Sequence, residues 1–153
     1  MPVVDDERET AKALSLITIA MISGILIFCI AGFIVYRSSG PFMSGKVWSN
    51  EIGLVILVGA AILLTVAASM YKNRMERLLV ELGSAREKLE KYRTVLIQHL
   101  AICELVAVMG PILFLLQGNF SFFALSAAGL LEVIRKFPAR YRIRKVVDSS
   151  NFL

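Results

Sequence analysis

Four long runs of apolar residues, nearly free of charge, constrain the fold of this chain more than any other feature. The first run, residues 13–36, contains no Asp, Glu, Lys or Arg, and further runs cover about 52–71, 95–116 and 120–134. About 20 apolar residues in an α-helix cross the hydrocarbon core of a bilayer. Because hydrocarbon cannot hydrogen-bond an open backbone, the runs must be helical. The sequence predicts an all-α fold, an integral membrane four-helix bundle.

Composition supports a single membrane domain over residues 1–153. Of the 153 residues, 57% are hydrophobic, which exceeds the share typical of soluble domains. The formal charge of +5 comes mainly from two basic segments, 72–94 and 135–153. That clustering is typical of membrane-facing loops, so we expect no nucleic-acid partner. The acidic start, with Asp5, Asp6 and Glu7, differs from a signal peptide, and the first run is interpreted as a retained span.

The basic residues also predict the direction of the spans. The connection between the second and third runs and the tail after the fourth are both rich in Lys and Arg, whereas the first connection holds only Arg37 and Lys46. Basic loops stay in the cytoplasm. We therefore expect a multi-pass protein of the inner (cytoplasmic) membrane with both termini cytoplasmic. The tail cations are expected to bind anionic lipid: Arg140, Arg142, Arg144 and Lys145.

Residues 72–94 are expected to form a cytoplasmic helical hairpin. Gly83 is suited to the left-handed position after a helix, and Ser84 with Glu87 has the spacing of a capping box that starts the next helix. The hairpin extends the second and third spans by about 16 Å, with Leu78, Leu79 and Leu82 packing on Leu89 and Tyr92. It either closes on itself or docks a partner.

Glu104 is the main candidate for a functional residue, because it lies about ten residues into the third run. A charged acid at that depth costs about 2.5 to 3.5 kcal/mol. Two interpretations stay open: a protonated acid that hydrogen-bonds a neighbouring helix, or a group that handles protons or cations together with the shallower His99. The hydroxyls considered as its partners are Ser15, Thr18, Ser23, Thr65, Ser69 and Ser126. Glu132, near the cytoplasmic end of the fourth run, is expected to pair with Arg135 or Lys136.

Gly110 and Pro111 predict a helix kink just beyond Glu104. Proline has no N–H, so the carbonyl of Ala107, four residues earlier, loses its partner within the helix. Kinks beside an acid occur in ion pathways and also in inert spans.

The chain offers no recognisable catalytic set. It has one histidine and two cysteines without a CxxC motif, so we expect no metal, no cofactor and a non-enzymatic protein. Cys29 and Cys103 differ in predicted depth by about 12 Å, too far for a disulfide, and should be free thiols. Gly and Ala residues along the spans allow close helix packing, within the chain or between chains.

The segment EKLEKYRTVLIQHLAICELVAVMGPILFLLQGN resembles uncharacterised four-span inner-membrane proteins of Bacteroidota-type bacteria. This implies a bacterial inner-membrane location and no particular activity. A hairpin with a basic turn and an acid on its returning helix is also similar to the rotor-ring proteolipid subunits of rotary ATP synthases, in which the carboxylate at the position of Glu104 carries the proton. The chain departs from that family in its long hairpin and in lacking the alternating glycines of the second span.

Two functions follow as hypotheses. The first is an accessory or structural subunit that assembles with itself or with a larger inner-membrane complex. The second is a proton- or cation-coupled carrier or channel component that uses Glu104. Exchange of Glu104 for Gln distinguishes them, because Gln keeps hydrogen bonding and loses titration.

Overall fold

The computed structural model describes residues 2–42, 50–80 and 84–138, together with Ile143. Four α-helices account for most of them: α1 (Pro2–Ser39), α2 (Asn50–Val80), α3 (Ala85–Gln117) and α4 (Phe123–Arg135). A 3₁₀ turn, Phe120–Phe122, precedes α4. No strand occurs in these described ranges, so the prediction of an all-α chain is confirmed.

Three of the helices are long and apolar enough to cross a membrane. Their candidate spans are Arg8–Ser39, Val55–Leu78 and Arg86–Gln117, so the first three predicted runs have the helical length and the apolar composition of membrane spans. Helix α4 has 13 residues and, at about 1.5 Å per residue, extends about 20 Å. The 3₁₀ turn before it adds about 6 Å.

Helix α3 is the centre of the fold. It packs against α1, α2 and α4, whereas α1 and α2 scarcely contact one another. Half of the most apolar window of α3 is buried, against 17% for α1 and 22% for α2. One face of α3 consequently stays uncovered, and its exposed residues lie one or two helical turns apart: Thr94, Gln98, Ala101, Leu105 and Ile112. We call this uncovered face, between α1 and α2, the open cleft.

Two glycines set the distance between α3 and α4. A Cβ on Gly129 would lie 2.6 Å from the carbonyl oxygen of Cys103, and a Cβ on Gly110 would lie 2.7 Å from that of Phe122. Such distances are too short for real Cβ atoms, so the absence of a side chain lets the backbones approach. The two contacts also show that α4 runs antiparallel to α3 along its length, as the short turn at 117–119 predicts.

The hairpin side of the molecule contains three helices instead of the expected two. Helix α1 begins at Pro2, well before residue 13, where the first span was expected to start. At this end of α1, Ala11 and Leu14 are buried in one apolar cluster with Leu89, Tyr92 and Leu96 of α3. The described tail residue Ile143 joins the same cluster.

The predicted start of α3 is confirmed in detail. The side chain of Ser84 accepts a hydrogen bond from the Glu87 N–H at 3.3 Å, and the Glu87 carboxylate accepts one from the Ser84 N–H at 3.2 Å. Leu78, Leu89 and Tyr92 are buried, and Leu89 and Tyr92 belong to the apolar cluster that includes Ala11 and Leu14 of α1; the packing of Leu78 on them stays a prediction. Gly83, Leu82 and the turn itself lie outside the described residues, as does the side chain of Leu79.

Aromatic rings close the opposite end of the molecule. Gly118 ends α3 in the left-handed region at φ 74°, and its N–H donates to the carbonyl oxygen of Phe114 at 2.6 Å. The ring of Phe114 lies 4.5 Å from that of Tyr36 of α1 and 4.8 Å from those of Phe120 and Phe123, measured between centroids. This end of α4 is therefore fixed to both α1 and α3.

Candidate functional site

Glu104 lies on the seam between α3 and α1, at the edge of the open cleft. Its side chain is half-buried, and a Cβ on Gly24 of α1 would lie 3.8 Å from its Oε1 atom. Ala101, about one turn before Glu104, and Leu105, the next residue, face outward, and Leu105 is 60% exposed. The carboxyl group therefore sits where the chain's own packing ends.

The expected hydrogen bond between Glu104 and a neighbouring hydroxyl does not form within the described residues. Three of the six candidate hydroxyls donate to backbone carbonyls instead: Thr18 to Leu14, Thr65 to Ala61 and Ser126 to Ala107. The first two are bonds within one helix, which the hydroxyl reaches without any neighbour. These three hydroxyls therefore donate to backbone carbonyls and not to the carboxyl group of Glu104.

His99 is buried on a different side of α3. Its ring lies against Tyr71 of α2, with centroids 4.8 Å apart, and its Nε2 is 3.7 Å from the Sγ of Cys103. Five residues separate His99 from Glu104, so they point about 140° apart around the helix. The structure consequently does not bring the two predicted proton-handling residues together.

Charged residues at the end of α4 lie near His99. Glu132, Arg135 and Lys136 are close enough to interact with it electrostatically, and the Nζ of Lys136 lies 4.7 Å from the centre of the Tyr71 ring. The expected pairing of Glu132 with Arg135 is confirmed, with Oε1 and Nη1 3.1 Å apart. Lys136 therefore lies at the same level as the end of the second predicted span.

The Gly110–Pro111 position forms an interhelical contact. Helix α3 continues as one α-helix through Pro111, and the carbonyl of Ala107, which proline deprives of its partner, accepts a hydrogen bond from the Ser126 hydroxyl at 2.7 Å. Ser126 is buried on α4, and a Cβ on Gly110 would clash with its Oγ atom. The carbonyl of Ala107 is therefore hydrogen-bonded by α4, which can approach because Gly110 has no side chain.

Both cysteines are free thiols, as predicted. Cys29 is half-buried and Cys103 is buried beside His99. Across the described ranges, no three His, Cys, Asp or Glu side chains converge in a way that would hold a metal ion.

A groove between α2 and α3 was not anticipated from the sequence. Its outer part, about 440 Å³, has charged side chains at its mouth: Arg74, Arg77, Glu90 and Lys91. Its inner part, about 340 Å³, is mostly apolar and includes Ala67, Met70, Tyr71, Ala101 and Ile102. Arg74 lines both parts and donates a hydrogen bond to Oε1 of Gln98 at 2.6 Å. We call this continuous feature the α2–α3 groove.

The basic tail residues proposed to bind lipid, Arg140, Arg142, Arg144 and Lys145, lie outside the described residues. No protein-family model, curated protein or solved structure gives a significant match to this chain. The resemblances to four-span inner-membrane proteins and to rotor-ring subunits stay predictions.

Proposed function

We propose that this protein is a non-catalytic four-pass protein of a bacterial inner membrane that acts as an accessory or structural subunit. It binds a further membrane helix, from a second copy or from a larger complex, in the open cleft beside Glu104. The single observation that carries the proposal is the position of Glu104. Its carboxyl group reaches the edge of the cleft and receives no hydrogen bond from the described residues.

The carboxyl group of Glu104 needs a hydrogen-bond partner because it lies within the candidate membrane span of α3. In hydrocarbon, a polar group without a partner is costly, so a hydrogen bond from another helix stabilises association. The surface beside Glu104 suits a close approach, because Gly24 and Ala101 carry little or no side chain. Helices associate in lipid through such small residues. A neutral Glu104 would both donate and accept a hydrogen bond across the new contact.

The four-pass orientation is supported by the position of α4. With its preceding turn, α4 follows α3 from the aromatic end, at Phe122 and Gly110, back to the level of Tyr71, where Lys136 lies. About 26 Å of helix cover that distance, close to the thickness of a hydrocarbon core. The hairpin and the start of the tail then share the basic, cytoplasmic side.

Labelling with a membrane-impermeant maleimide tests this orientation. In intact cells, Ser39→Cys should be labelled from outside, whereas Glu90→Cys and Phe137→Cys should be labelled only after the membrane is opened. All three positions are exposed, and the wild type, with Cys29 and Cys103 within the helices, gives the background. Labelling of Phe137→Cys from outside would show that α4 does not cross the membrane.

Glu104 variants test the docking proposal. Glu104→Leu should weaken association about 3- to 30-fold, which corresponds to the roughly 0.6 to 2 kcal/mol measured for hydrogen bonds between membrane helices. Glu104→Gln should associate as the wild type does, because an amide still donates and accepts. Association is measured by energy transfer between labelled chains in liposomes, and by mass after extraction in mild detergent if the partner is another protein.

Leu131→Ala is the matched control, because Leu131 is 66% exposed on α4, a helix that does not border the open cleft. Equal association of Glu104→Leu, Glu104→Gln and wild type would show that Glu104 does not take part in an interface with another helix.

The second candidate function is proton- or cation-coupled transport. The same half-buried carboxyl group at the edge of the open cleft favours it, because an acid that handles protons or cations must reach water or an ion. Here Glu104→Gln should abolish flux in proteoliposomes although the chain still folds and associates. Undiminished flux in Glu104→Gln, or none in the wild type, would contradict this alternative.

A further inference from the structure

We infer that the α2–α3 groove binds an anionic phospholipid of the cytoplasmic leaflet, with its phosphate at the basic mouth and part of an acyl chain in the inner, apolar part. This inference rests on the cytoplasmic orientation of the hairpin given under the proposed function. The open cleft and the inner part of the groove share Gln98 and Ala101, so lipid binding is tested on the monomer, in which no further helix is docked.

The charges at the mouth indicate an anionic group. Arg74, Arg77 and Lys91 line the outer part of the groove together with one acid, Glu90. Arg74 uses one N–H on Gln98, and a guanidinium group has five donors in a fork that matches phosphate. Arg74 and Arg77 lie one and two turns beyond Tyr71, which places them near headgroup depth. Basic pockets between membrane helices at this level bind anionic headgroups.

The inner part of the groove indicates a lipid instead of a free phosphate. It continues from Arg74 toward Ala101 and Ile102, and its wall includes the exposed, flexible side chain of Met70. Its volume of about 340 Å³ lies in the range of ligand pockets. A soluble phosphate would leave this space unused, whereas the chain of a phospholipid held at the mouth would enter it.

The test is lipid binding to the full chain, measured by native mass spectrometry of the monomer in detergent. Phosphatidylglycerol is compared with phosphatidylcholine, and glycerol phosphate serves as the soluble headgroup. Wild type should bind phosphatidylglycerol about tenfold or more tighter than phosphatidylcholine, as expected for two or more basic contacts, and glycerol phosphate weakly. Equal binding of the two lipids, or equally tight binding of glycerol phosphate, would overturn the inference.

Variants locate the site. Arg74→Gln with Arg77→Gln should weaken phosphatidylglycerol binding about 30-fold, about fivefold for each cation. The control, Lys72→Gln with Arg86→Gln, changes the net charge equally at exposed positions outside the groove, and its binding should stay close to that of the wild type. Equal losses in the two double variants would mean general surface attraction and would overturn the assignment.

Ala101→Phe tests the acyl-chain part without changing charge. Ala101 is exposed, so the larger ring is tolerated and narrows the inner groove. Binding of phosphatidylglycerol should weaken severalfold, while that of glycerol phosphate should not change. Unaltered phospholipid binding would show that no acyl chain occupies the inner part of the groove. Because all readings are made on the monomer, a failure of association at Glu104 leaves them interpretable.

Discussion

Gly110→Ala and Gly129→Ala should each destabilise the protein by about 1 to 3 kcal/mol, the usual cost of overpacking a close contact. Each new Cβ would meet backbone that cannot move aside easily: the carbonyl of Phe122 for Gly110 and the carbonyl of Cys103 for Gly129. The only relief is to move α4 away from α3, which would also break the bond from Ser126 to Ala107. The measurement is the free energy of unfolding in mixed detergent micelles.

Gly59→Ala is the matched control for this prediction. Gly59 lies in α2, and a Cβ there would meet nothing within 4 Å. Alanine favours a helix over glycine by up to about 1 kcal/mol, so this variant should be as stable as the wild type or more so. Equal stabilities of all three variants would mean that α3 and α4 do not approach closely.

The hydroxyl of Ser126 is the hydrogen-bond donor to the carbonyl of Ala107. Ser126→Ala should cost about 0.6 to 1.7 kcal/mol, the range for hydrogen bonds between membrane helices, because no N–H at Pro111 can replace the lost donor. In a Pro111→Ala background, the N–H of residue 111 returns to this carbonyl. In that background, Ser126→Ala should lower the free energy of unfolding by at least about 0.5 kcal/mol less than it does in the wild type. A double-mutant cycle measures this difference as a coupling energy.

The cycle removes effects that each exchange has by itself, such as the loss of contact between Pro111 and Gly32. Ser69→Ala, at an exposed position of α2, is the control for serine removal and should be neutral in both backgrounds. A coupling of zero would mean that Ser126 does not stabilise the carbonyl freed by proline.

Local features of this protein were predictable because neighbours in sequence decide them. The capping box of Ser84 and Glu87 involves residues three apart. The reversal at Gly118 needs one left-handed residue between two apolar runs. The free state of Cys29 and Cys103 follows from their different depths in the parallel helices α1 and α3. None of these depends on how the helices are rotated.

The contacts that side chains make with other helices were less predictable from the sequence. The sequence indicated that the carbonyl of Ala107 would lack its helical partner, but Ser126 was considered only as a partner of Glu104. The contact between Ser126 and Ala107 depends on the register of α4, which the approach at Gly110 and Gly129 sets. Likewise, the acidic start of the chain offered no sign that Ala11 and Leu14 would be buried on α3.

The sequence by itself determined an all-α chain with apolar helices, a capped helix start and a tight reversal before α4, because backbone satisfaction in hydrocarbon and local capping leave few other solutions. Only the tertiary structure decided that α3 is central, that a cleft opens between α1 and α2, and that Glu104 and His99 face different neighbours. Helix rotation and register decide these features, and they depend on contacts between small and aromatic side chains far apart in the sequence.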